Sequence, residues 1–97
     1  MNLRIEKIKD NPVNSLRRAG YIFQRKEGEE MIFIRPFSAS GFPRFHIYAK
    51  IENFQLMLNI HLDVKKETYG KETRHHGEYK NEGILAEEVE RIKKFLE

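Results

Sequence analysis

No cysteine occurs among the 97 residues of this chain. Disulfide scaffolds, cysteine-ligated zinc fingers, iron–sulfur centres and thiol nucleophiles are therefore excluded, and a small domain without disulfides suits a reducing cytoplasm. Also lacking is any apolar run near the roughly 20 residues that cross a bilayer. Met1-Asn2-Leu3-Arg4-Ile5-Glu6-Lys7 has no apolar signal-peptide core. The expectation is a cytoplasmic protein with no membrane partner. The chain has no phosphate-cradling glycine loop, internal repeat or low-complexity tract.

What is present is 39% hydrophobic and 34% charged, with seven Phe and four Tyr. That fills one modest core, so residues 1–97 read as a single domain. The net charge of +3 is uneven: residues 1–50 hold ten Lys and Arg against five Asp and Glu, and residues 51–97 hold eight against ten. A basic half invites an acidic partner such as RNA or DNA.

Residues 1–10 alternate weakly through Leu3 and Ile5 and form an arm or an edge strand. Asn11-Pro12 is a helix start, an Asn cap followed by proline in the first turn. Val13, Leu16 and Ala19 make the apolar stripe of a short helix that Gly20 ends. Two aromatic and β-branched runs, Tyr21–Lys26 and Glu30–Arg35, flank Glu27-Gly28-Glu29 as a hairpin. Residues 36–43 form a proline-bounded loop.

Strict alternation marks the next two strands. Phe45, Ile47, Ala49 and Ile51 face one way, as do Phe54, Leu56, Leu58, Ile60 and Leu62. A turn at Glu52-Asn53 sets Ile51 against Phe54, Ala49 against Leu56, His46 against Asn59 and Arg44 against His61. Residues 65–83 form a long polar loop. The segment from Ile84 to Glu97 is an amphipathic helix with Leu85, Val89, Ile92 and Leu96 on its stripe, Ala86 and Phe95 beside it, and Glu87–Arg91 and Glu90–Lys94 pairs one turn apart. The fold expected is α+β, in the order α-β-β-β-β-α. Its four-stranded antiparallel sheet carries N- and C-terminal helices on one face and leaves the other open.

Chemistry concentrates in three places. His61 and Asp63, two apart on a strand, project to one side roughly 7 Å apart, and the loop beyond adds His75, His76 and Glu78. Imidazoles with carboxylates are a ligand set for zinc or another divalent metal. A solvated sheet face beside a polar connector is the plain alternative. The second place is the basic side of the sheet, where Arg44, His46, Tyr48 and Lys50, with Arg35 beside them, mix cations with a ring as RNA- or DNA-binding surfaces do. The third is apolar: Met57 and the Phe37/Phe42 loop suit burial of the open face in a partner protein or a second copy. Ser38 and Ser40 have no base placed beside them, and His61 cannot reach Asp63 directly. A binding domain is therefore expected rather than an enzyme.

The run Ser15-Leu16-Arg17-Arg18-Ala19-Gly20-Tyr21-Ile22-Phe23-Gln24-Arg25-Lys26-Glu27-Gly28 resembles the opening of HicA-type toxins, as does the approach from His76-Gly77 through Gly83-Ile84-Leu85 to the last helix. The resemblance covers about a third of the chain and implies a double-stranded-RNA-binding-like fold. Those toxins cleave RNA with a histidine just after the turn glycine. Glu29 and Glu30 follow Gly28 here, so that histidine is missing and the ribonuclease activity is not implied. The central RFHIY and HLDVKK segments resemble small uncharacterised bacterial proteins, and no activity accompanies that likeness.

Overall fold

The computed structural model describes residues 1–64 and 82–97. Along the chain these form β1 (Asn2–Ile5), α1 (Pro12–Arg18), β2 (Ile22–Glu27), β3 (Glu30–Pro36), β4 (Arg44–Glu52), β5 (Gln55–Asp63) and α2 (Glu82–Leu96). Glu82 and Gly83, expected in the loop, belong to the helix.

Local chemistry sets the first corner. The Asn11 side chain accepts a hydrogen bond from the Val13 N–H at 2.8 Å, satisfying one of the donors that a helix start leaves unpaired. After α1 the chain turns at Gly20 with φ of 101°. A Cβ there would also come within 3.3 Å of Arg35 Nε, so both conformation and space call for glycine.

The sheet has five antiparallel strands in the order β1-β5-β4-β3-β2, which corrects the expected four. The arm or edge strand read at the N-terminus is the fifth, and the order becomes β-α-β-β-β-β-α. Asn2 lies opposite Asn59 and Ile5 opposite Leu56. The physical reason is on β5: without β1 its nine residues would present an unpaired backbone edge, and Leu3 and Ile5 bring matching apolar side chains. The β2–β3 hairpin closes on Gly28-Glu29 and slips register once, between Phe23 and Arg25.

The β4–β5 register also differs from the expectation, by two residues. The turn is Asn53-Phe54, so Ile51 pairs with Leu56, Ala49 with Leu58, His46 with His61 and Arg44 with Asp63. Because side chains alternate with a period of two, this shift keeps every apolar residue on its face. It gives Leu62 a partner in Phe45 and sets Arg44 against a carboxylate, at the cost of placing Phe54 outside the core.

Leu16 of α1, Ala19 just after it, and Val89, Ile92 and Leu96 of α2 pack with Phe33, Phe45, Ile47, Leu56, Leu58 and Ile60 in one core, which places both helices on the same face. Each fully buried aliphatic side chain contributes about 2 kcal/mol through the area it removes from water. Helix α2 departs from the expected charge pattern. Glu88 turns inward and is buried, and the ion pairs run one residue tighter, Arg91 to Glu88 and Lys93 to Glu90. Ala86 and Phe95 are exposed. Among the described residues no helix is long and apolar enough to cross a membrane.

Candidate functional site

Residues paired directly across antiparallel strands share a face, so the register defines the side that no helix covers. One row reads Ile22, Ile34, His46, His61, and the next reads Arg25, Ile32, Tyr48, Asn59, Asn2. Pro36, Arg44 and Asp63 lie beyond the first row, and Lys50, Met57 and Arg4 beyond the second. This open face is not uniformly wet. Ile32 is fully buried and Ile34 nearly so, sealed by flanking side chains and the rings of the next strand.

The rings form a chain over β4 and β5. His46 and Tyr48 meet edge-on with centroids 4.8 Å apart, and Tyr48 meets His61 at 5.9 Å. Asp63 anchors one end. Its Oδ2 accepts from Arg44 Nε at 3.1 Å and lies 3.3 Å from His46 Nδ1. Arg44 in turn lies over the Phe42 ring at 4.5 Å. His46 Nε2 is buried without a hydrogen-bond partner among the described residues. Burial pulls the His46 pKa below the usual imidazole value; the neighbouring Asp63 carboxylate opposes that, while Arg44 and His61 reinforce it. Burial thus favours the neutral ring, whose Nδ1 side faces the carboxylate.

Charge on this face is matched. Arg25 bonds Glu27 at 2.6 Å, Arg44 bonds Asp63, and Lys50 lies 3.2 Å from Glu52 and 4.0 Å from Glu29. Glu30 balances Arg4 in number, although Arg4 makes no ion pair among the described residues. Two depressions open here. One of about 650 Å³ is shared between this face, at His46, Tyr48, His61 and Asp63, and the helix side, at Leu62, Glu82 and Leu85. The other, about 430 Å³, runs between β1 and β4 over Arg4, Tyr48, Lys50, Met57 and Asn59.

The expected site residues are thus only partly brought together. His61 and Asp63 do project to the open face, but Asp63 is engaged by Arg44 and His46, and a metal would have to displace both. His75, His76 and Glu78 lie outside the described residues. Among the described residues no group of three or more His, Asp or Glu side chains is arranged to hold a metal ion. Of the cationic set, Arg44, His46, Tyr48 and Lys50 share the face, but Arg35 does not. It pairs with Phe45 across β3–β4, lies over that ring at 5.8 Å and comes 3.5 Å from Glu88 on the helix side. Alternation places Arg35 with Phe33 rather than with Ile34, a parity that the sequence already carried.

Sequence reasoning missed the Glu88 cluster. Glu88 accepts from the Tyr21 hydroxyl at 2.7 Å and from Arg91 at 2.9 Å through each of two nitrogens, while Arg91 also donates to the Ala19 carbonyl at 2.6 Å. Burial, with the Glu88 carboxylate beside it, pushes the Tyr21 hydroxyl pKa up. The cluster ties α2 to the α1–β2 corner. Its signal was Glu88 falling beside Val89 and Ile92 on a helix whose other acids point out.

Fold and face together define a small α+β domain whose sheet has one side that neither helix covers. No protein-family model, curated protein or solved structure matches the chain.

Proposed function

We propose that this chain is a non-enzymatic protein-docking domain whose contact surface is the open sheet face. One observation carries the reading: the cations of that face are matched by acids and mostly paired sideways to them, around a centre of Tyr, His and Met. A surface for phosphates needs cations not already engaged by carboxylates, so that they can displace the counterions condensed on the nucleic acid; a surface for another protein needs rings, Met and Arg within a neutral polar rim. Strands about 4.8 Å apart with a rise of about 3.3 Å per residue present roughly 600 Å² here, close to the ~800 Å² that each partner contributes to a standard interface. Among the described residues no nucleophile with an adjacent base lies on the face, which suits binding rather than turnover.

The test is capture from native extract on immobilised full-length chain, with Tyr48→Glu and Met57→Glu as face variants and Arg17→Glu on α1 as control. A protein retained in near-equimolar amount by the wild type and Arg17→Glu, and released by both face variants while their melting curves stay intact, supports the reading. Equal retention by the face variants overturns it.

A further inference from the structure

The β4–β5 turn carries a side chain that the isolated fold has no use for. Asn53 and Phe54 have φ of 52° and 65°, the pair of left-handed conformations that a two-residue turn between antiparallel strands requires. Asn tolerates that region and Gly enters it freely, whereas a Cβ bearing a ring is crowded there. Phe54 is also 90% exposed, against 55% for Ile22, the next most exposed large hydrophobic among the described residues. Neither burial nor backbone conformation accounts for a phenylalanine at this position. Strain and exposure at the same residue point to a use outside the fold.

A receptor of suitable chemistry lies on the same chain. Down the open face from the turn is the 430 Å³ groove, lined by Tyr48 and Met57 and by the cations Arg4 and Lys50 against the acids Glu30 and Glu52. Methionine adapts to a ring and adds a sulfur–aromatic contact. The turn that bears Phe54 is flanked by acids, Glu52 on its own hairpin and Glu29 on the next, both within reach of Lys50. Arg4, unpaired among the described residues, can take up such an acid from another molecule.

We infer that the first partner of the open face is a second copy of this chain, with Phe54 of one copy seated in the Arg4–Tyr48–Met57 groove of the other and Glu52 or Glu29 meeting Arg4. The inference rests on the reading of that face as a docking surface and names its occupant.

Sedimentation of the untagged full chain from micromolar to near-millimolar concentration tests it. The wild type is expected to pass from monomer to a larger species as concentration rises. Phe54→Gly moves that transition upward by about tenfold or more, the loss of one buried aromatic anchor, without lowering the melting midpoint of the dilute protein. Adding Met57→Ala to Phe54→Gly costs no further association if ring and groove meet; additive losses place the ring elsewhere and overturn the assignment. Association that Tyr48→Glu abolishes and Phe54→Gly leaves intact overturns the role of Phe54 while keeping the docking face. A wild type that stays monomeric throughout removes the second copy as partner and leaves the docking face to the capture experiment.

Discussion

Glu88 and His46 are buried polar groups handled in opposite ways. Glu88 has donors on both carboxylate oxygens, from Tyr21 and from two nitrogens of Arg91, so removing it strands a tyrosine hydroxyl and a partly buried guanidinium. Glu88→Ala is expected to cost about 3 kcal/mol, and Tyr21→Phe only about 1 kcal/mol, because Arg91 still satisfies the carboxylate. Urea titrations of both variants check the order; equal losses would mean that Tyr21, not the ion pair, carries the cluster. His46 has one ring nitrogen near Asp63 and the other buried without a partner among the described residues. Its pKa is lowered from 6.5 chiefly by burial. Above that value folded and unfolded chains are both neutral here. As pH falls below it the unfolded chain takes up the proton first, so stability declines until the folded imidazole is protonated too. His46→Gln should flatten the melting midpoint between pH 7 and pH 5 relative to wild type. An identical slope would show that His46 does not carry the effect.

At the scale of elements, the turn at Asn53-Phe54 gives the sharpest expectation. Phe54→Gly in dilute solution should leave stability unchanged or raise it by up to about 1 kcal/mol, because relief of the left-handed strain outweighs the added freedom of the unfolded chain. A thermal melt that drops by several degrees would show that the ring packs onto the fold. This turn also shows how far the sequence could be read. Alternation over Phe45–Ile51 and Leu56–Leu62 specifies the strands and their inward faces, and a shift of two residues leaves that pattern untouched. Periodicity therefore fixes faces but not register. The choice fell to features without a period, the Asn53 turn chemistry and the Arg44–Asp63 pair. The Asn11 cap, Gly20 and the Leu85–Leu96 stripe were legible because each is a local signal. Strand β1 was only half legible, since four residues carry too little alternation until β5 supplies the partner. The site was least legible, because pairing His46 with His61 and neutralising Arg44 depend on that same register.

Taken whole, the molecule pairs most of the cations on its open surface with acids instead of leaving them free. The excess of basic over acidic residues in positions 1–50 reads, from composition, as a cationic platform for nucleic acid, yet the strands distribute it otherwise. Arg17 and Arg18 go to α1, Arg35 goes to the helix side of β3, and Arg25, Arg44 and Lys50 are each held by a neighbouring carboxylate. Arg4 alone among the cations of the open face makes no ion pair in the described residues. A polyanion laid across this face would have to break those pairs, and few counterions would be released in return. For single strands each neutralised phosphate contributes about −0.7 to the slope of log affinity against log salt. Fluorescence anisotropy with a labelled uridine oligonucleotide should therefore show weak binding with a slope of about −1 or shallower, little changed by Tyr48→Ala. Tight binding with a slope of about −3 or steeper, lost in Tyr48→Ala, would mean that ligand phosphates outcompete Asp63 and Glu52 for Arg44 and Lys50. The open face would then belong to nucleic acid rather than to protein.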